Sequence, residues 1–286
     1  MLNITRFELN IPCEKDFCVV HASDSHLIFA DDRENQRKRE LAARRVNDFG
    51  PADQVLTRFE ETLAHARSHA ELFLHTGDVI DFVSRKNLEV MQSRFEGVSM
   101  LMCAGNHEFS QYVGEAKEDD AYKAQTFDLV QSYAPNDLDF ASKVVNGVNF
   151  VAIDNGYYLF KERHAAAFRE EVRKGLPIIL LLHNPIYTPA LVEFHRMARP
   201  KSPCYYLCGA PEEILNGYPQ ARQEQQRADA ETQSFIRMLR QEPLLKAIFA
   251  GHVHFPVITR FAEGVPQIVA GGNFRGELNE ILIRQA

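Results

Sequence analysis

Asp24 and His26 stand two residues apart, and so do His252 and His254. In extended chain, residues i and i+2 point to the same side, so each pair can address one centre. Asp78, Asn106 and His183 add one further donor each. Together they make four imidazoles, two carboxylates and one amide oxygen, with no thiolate. A mixed nitrogen and oxygen set of this kind suits Mn, Fe, Zn or Co better than Ca or a structural Zn. Seven side chains are too many for one small ion; if one carboxylate bridges, they divide into two sites of four. Two ions held about 3.5–4 Å apart are an established arrangement for phosphoryl transfer.

Short apolar runs must position these residues. Phe17–Ala22 precedes Ser-Asp-Ser-His, Glu71–His75 precedes Thr-Gly-Asp, and Val98–Ala104 precedes Gly-Asn-His. Ile178–Leu182 precedes His-Asn-Pro, and Ala247–Ala250 precedes Gly-His-Val-His. Runs of this length, rich in Val, Ile, Leu and Phe, predict buried strands. Between them, helical spacing marks Asp53–Ala70, Asn87–Glu96, Ala116–Tyr133, Lys161–Lys174 and Arg227–Arg240. Strand alternating with helix predicts an α/β fold, whose ligands bind just past the carboxyl ends of the strands. Asp31–Asp48 reads as a solvated helix, residues 184–226 as an irregular insertion over the site, and Phe255–Ile283 as the completion of a second sheet. One domain over residues 1–286 is the simplest organisation.

The series Asp24-Ser-His26, Gly77-Asp78, Gly105-Asn106-His107-Glu108, His183 and Gly251-His252-Val-His254 resembles the calcineurin-like metallophosphoesterase superfamily. The motifs run from residue 24 to residue 254 with no ligand position missing. The resemblance implies a four-layer α/β/β/α sandwich of two mixed sheets, with a dinuclear metal site at the C-terminal rim of the strands. It implies one metal held by Asp24, His26, Asp78 and His254, and another by Asp78, Asn106, His183 and His252, with Asp78 bridging. His107 would be the catalytic residue facing the substrate, donating to the leaving oxygen or stabilising its charge as a metal-bound hydroxide attacks phosphorus. Asp81, Glu108 and His75 are expected to support the ligands, and His195 to reach substrate from the insertion.

Departures narrow the branch. Ala104 stands where protein Ser/Thr phosphatases carry an Arg, and no Tyr follows Gly77-Asp78 as in purple acid phosphatases. The last motif ends in His254, where the 5′-nucleotidase branch usually has Gln. What remains is the small-phosphodiesterase-like branch, hydrolysing a small phosphodiester or phosphomonoester.

Composition sets the other bounds. A net charge of −7 gives no general attraction to polyanions, which argues against a DNA or RNA nuclease. Retention of every ligand and of His107 argues against a non-catalytic scaffold. Five irregularly spaced cysteines make an odd count, against a disulfide framework. Met1–Asp16 has no secretory pattern, and no run reaches the roughly 18–20 apolar residues of a membrane span. The expected setting is cytoplasmic, with a small phosphate ester as partner, no membrane or nucleic acid, and an open oligomeric state.

Overall fold

Apolar runs become buried strands here because consecutive residues enter two different cores. The computed structural model describes residues 1–114 and 118–286. Its strands are β1 (Asn3–Ile11), β2 (Phe17–Ala22), β3 (Leu72–His75), β4 (Met100–Met102), β5 (Phe140–Val145) and β6 (Val148–Ile153). They continue with β7 (Ile178–Leu181), β8 (Leu245–Ala250), β9 (Val257–Ala262), β10 (Val265–Val269) and β11 (Glu277–Gln285). The helices are α1 (Gln36–Phe49), α2 (Ala52–His69), α3 (Arg85–Phe95), α4 (Asp120–Ala124) and α5 (Phe127–Gln131). After them come α6 (Glu162–Arg173), α7 (Pro189–Ala198), α8 (Glu212–Leu215), α9 (Gln220–Gln226) and α10 (Ala230–Gln241).

The first sheet has the order β1-β11-β2-β3-β4 and the second β5-β6-β7-β8-β10-β9. Both are mixed: β11 runs antiparallel to β2, β5 to β6 and β9 to β10, and the other neighbours are parallel. Val19, Leu72, Leu74 and Ile281 of the first sheet meet Phe150, Ile179, Leu181 and Phe249 of the second in a common core. On the outer face of the first sheet, Val20 and Phe73 pack with Phe59 and Leu63 of α2 and Met91 of α3. On the outer face of the second, Val151, Leu180 and Ile248 pack with Phe168 of α6 and Phe235 of α10. The layers are therefore helix, sheet, sheet, helix, and β2, β3, β4, β7 and β8 end at one rim.

Caps fix several helix starts. The side chains of Asn35, Ser84, Thr188 and Asp229 accept the N–H groups of Lys38, Asn87, Leu191 and Thr232. Each satisfies a donor that the first helical turn leaves unpaired.

The differences from sequence expectation have physical causes. Phe255–Ile283 does not all enter the second sheet: β9 and β10 do, whereas β11 crosses to lie between β1 and β2. There its Ile281 and Ile283 complete the core between the sheets. Residues 184–226 are not irregular; they carry α7, α8 and α9, too short for periodicity to reveal. In the segment Ala116–Tyr133, Ala116 and Lys117 lie outside the described residues, and the remainder forms α4 and α5 around a turn at Gln125 and Thr126. The edge strand β1 and the hairpin β5–β6 had no counterpart in the sequence reading. Among the described residues no helix is long and apolar enough to cross a membrane.

Phe168 is fully buried between α6 and the second sheet. Phe168→Ala is expected to lower the unfolding free energy by about 3–5 kcal/mol. Urea denaturation checks this; a loss below about 1 kcal/mol would show that the outer helical layer is not tightly packed.

Candidate metal centre

The candidate ligands are presented by backbone in an uncommon conformation. Asp24, His26, Asp78, His252 and His254 have φ between 47° and 70°, in the left-handed region. For residues with a Cβ this costs roughly 1–2 kcal/mol each, so the surroundings must impose it. They do so by cross-links between strand ends. Asp24 N–H donates to Gly77 O and His26 N–H to Asp78 O, both at 2.9 Å, and Gly251 N–H to His183 O at 3.0 Å. His252 N–H donates to Asp24 Oδ2 at 2.9 Å. Gly77, with φ of 89°, is required where it stands: a Cβ there would lie 2.5 Å from Gly105 N and 2.7 Å from His183 Nδ1.

Two groups of donors result. Asp24, His26 and His254 form one, and Asp78, His183 and His252 the other. His26 Nε2 lies 3.0 Å from His254 Nε2, and His183 Nε2 lies 3.0 Å from His252 Nδ1. Asp24 Oδ1 is 3.2 Å from His254 Nε2. Asp78 Oδ2 faces both groups, 3.2 Å from His183 Nε2 and 3.7 Å from His26 Nε2. Asn106 directs its amide N–H to Glu118 Oε1 at 2.9 Å. Among the described residues, the buried oxygens Asn106 Oδ1 and Asp24 Oδ1 have no hydrogen-bond partner.

This arrangement fits cations. Ligand atoms each about 2.1 Å from one ion stand roughly 3.0–3.4 Å apart. The far nitrogens are engaged so that the near ones offer lone pairs: His26 Nδ1 donates to Asp81 Oδ1 at 3.1 Å, and His183 Nδ1 to Thr76 O at 2.7 Å. Nε2 of His252 is 2.9 Å from the Tyr158 hydroxyl. Such outer contacts fix the tautomer of a ligating imidazole. One expectation from spacing is corrected: His252 and His254 do not address one centre but divide between the two groups. Their positive φ values and the tight turn Val253 N–H to Gly251 O, at 2.8 Å, remove the extended chain on which that expectation depended.

His107 stands apart. Its Nδ1 donates to the Asp81 carbonyl at 2.7 Å and lies 3.1 Å from Asp81 Oδ1, and the ring borders the cavity. A third cluster, His26, Asp81 and His107, is thus held together by hydrogen bonds through the two Nδ1 atoms. Burial disfavours charge on His107, but Asp78 and Asp81 outweigh it and push its pKa up to about 10. Burial would likewise raise Asp81, yet His107, His26 and Arg45 hold its carboxyl well below the usual range. Arg45 of α1 meets Asp81 through Nε at 2.6 Å and a terminal nitrogen at 2.8 Å.

Glu108 organises backbone. Its buried carboxylate accepts N–H bonds from Asp78 and Val79 at 2.7 Å and from Gly105 at 2.6 Å. Burial and the Asp78 charge push the Glu108 carboxyl up to about 7, against the hydrogen bonds that favour its ionised form. His75 lies behind the site, its Nε2 2.9 Å from Ser25 Oγ, which in turn donates to Asn273 at 3.0 Å. Burial lowers His75 to about 3. His195 is not brought to the site: it is fully buried in α7 beside Tyr205 and Phe255 and does not border the cavity.

Sequence reading missed Arg45, Glu118, Tyr158 and Phe49, whose ring stacks on His26 at 4.3 Å. No local pattern marks them, because each reaches its partner across the fold. Above the two groups opens a cavity of about 540 Å³, walled by Tyr158 together with Arg199, Tyr206 and Arg222 from the insertion.

The family model of the calcineurin-like phosphoesterases matches residues 18–256. No curated protein matches the chain. Among solved structures, the chain is similar to a dimetal phosphatase from Danio rerio, at 15% identity over 94% of this chain and 93% of that one, with a TM-score of 0.44. It is similar to a phosphopantetheinyl hydrolase from Mycobacterium tuberculosis, at 13% identity over 93% and 92%, with a TM-score of 0.41. An archaeal phosphodiesterase shares 12% identity over 93% and 99%, with a TM-score of 0.35. Family membership rests on the matched residues, not on these likenesses.

Glu108→Ala strands the N–H groups of Asp78, Val79 and Gly105. It is expected to cost about 3 kcal/mol or more of stability, read from urea denaturation of metal-free protein. An unchanged midpoint would show that the carboxylate does not hold the two loops.

Proposed function

The chain belongs to the calcineurin-like phosphoesterase family, and we propose that it hydrolyses a small phosphodiester or phosphomonoester with the help of two metal ions. The observation that carries the proposal is the meeting of two donor groups at Asp78 Oδ2, on the floor of the cavity. Asp24, His26, Asp78 and His254 would hold one ion; Asp78, Asn106, His183 and His252 the other. Their oxygen and imidazole donors suit Mn, Fe, Zn or Co. When bound, two such cations offset the charge of phosphoryl oxygens and lower the pKa of water.

The chain's own residues supply positioning and proton transfer. With Nδ1 committed to the Asp81 carbonyl, His107 keeps Nε2 for the cavity. A proton held there is available to the leaving oxygen of an ester. Asp81 acts on two rings at once, holding His26 toward its donor group and His107 toward the substrate side. His107, His26 and Arg45 together keep Asp81 ionised, and Arg45 holds it in place. The cavity suits a ligand of small-molecule size rather than a duplex groove.

Chelation is expected to abolish hydrolysis of 4-nitrophenyl phosphate and bis(4-nitrophenyl) phosphate, and one of Mn, Fe, Zn or Co to restore it. His107→Ala is expected to lower kcat by roughly 10²–10⁴ with the metal content, measured by atomic absorption, unchanged. A metal-loaded protein inert toward both ester classes contradicts the proposal.

A further inference from the structure

We propose that Arg199 of the insertion recognises the extra charge of a phosphomonoester dianion and so makes the site select monoesters over diesters. The inference rests on the phosphoesterase reading above and names its substrate class.

The fold fixes where Arg199 stands. It is the C-cap of α7, its N–H donating to His195 O at 2.8 Å and its carbonyl accepting from Ser202 N–H at 3.0 Å. The helix is anchored by the fully buried Leu191 and His195. From this point the side chain borders the same cavity as Asp78, His252 and His254. Among the described residues, two arginines line that cavity, and they differ in what they already hold. Arg222 bonds to Gln225 and lies 4.0 Å from Glu118. No ion pair or hydrogen bond engages the Arg199 guanidinium among the described residues.

Arg199 is exposed to solvent at the cavity wall, so in the free protein water satisfies its guanidinium. Partial desolvation on the cavity side and the nearby Arg275 disfavour its charge, while Asp24 favours it. Arg275 itself is committed to the His254 carbonyl and to Glu277. An anion entering the cavity would engage Arg199 in exchange for water, without displacing any contact to a described residue. Guanidinium groups bind phosphoryl oxygens through paired, charge-assisted hydrogen bonds. A monoester dianion has three unesterified oxygens, and a diester has two. Where a pair of cations takes two oxygens, a third remains for Arg199 only in the monoester.

The test compares metal-loaded wild type, Arg199→Ala and Arg199→Lys. Calorimetric titration with inorganic phosphate is expected to show binding weakened roughly tenfold to a hundredfold in Arg199→Ala, with partial recovery in Arg199→Lys and equal metal content throughout. With 4-nitrophenyl phosphate, Arg199→Ala is expected to lose a similar factor in kcat/KM, mainly through KM. With bis(4-nitrophenyl) phosphate the change is expected to stay within about threefold. Equal phosphate affinity in wild type and Arg199→Ala, or equal losses on both esters, overturns the inference. A wild type that turns over neither ester contradicts the phosphoesterase reading instead, and the phosphate titration then still decides the role of Arg199.

Discussion

A buried carboxylate placed against backbone N–H groups is the constraint on which the site depends. Glu108 receives the N–H groups of Asp78 and Val79 from the loop after β3, and of Gly105 from the loop after β4. Removing a carboxylate from water is expensive unless its oxygens are satisfied, and charge-assisted bonds of this kind are the strong ones. The two loops are therefore locked to each other before any ligand side chain is considered. Asp78 then returns the contact by accepting His107 N–H at 2.9 Å. Through that reciprocal link, the residue facing both donor groups and the residue facing the cavity share one rigid frame.

The two sheets supply what this frame stands on. Strand ends that would splay in isolation are held at one rim because Leu74, Leu101, Leu181 and Phe249 are packed in the core just behind them. That packing sustains five left-handed candidate ligand residues, a conformation that persists only where the surroundings over-determine it. Strain at the rim and density in the core are thus two sides of one arrangement. The insertion plays a different part: it contributes to the cavity wall through Arg199, Tyr206 and Arg222, while the donor groups lie on the loops after β2, β3, β4, β7 and β8.

The fold was readable where its physics is local. β2, β3, β7 and β8 announce themselves because Val19 and Val20, or Ile179 and Leu180, enter opposite apolar cores and leave no polar face. The hairpin β5–β6 carried a usable signal, Asn146-Gly147, whose positive φ values close a two-residue turn between Val145 and Val148. β1 was hidden because it is an edge strand with alternating exposed residues. The candidate ligands could be picked out by type and spacing, whereas their division between two groups followed only from the family resemblance. His252 and His254 separate through backbone turns that spacing does not encode. Arg45 falls in a segment whose charge pattern marks a solvated helix, and its bond to Asp81 spans 36 residues of sequence. His195 looked available in a loop-like stretch and is instead the buried anchor of α7.

The central claim is that two cations share Asp78. An anomalous-scattering map from crystals of metal-loaded protein tests it most directly. The account predicts two peaks about 3.5–4 Å apart, one beside Asp24, His26 and His254 and the other beside Asn106, His183 and His252, with Asp78 between them. A single peak, or a peak at the cluster of His26, Asp81 and His107, would contradict it.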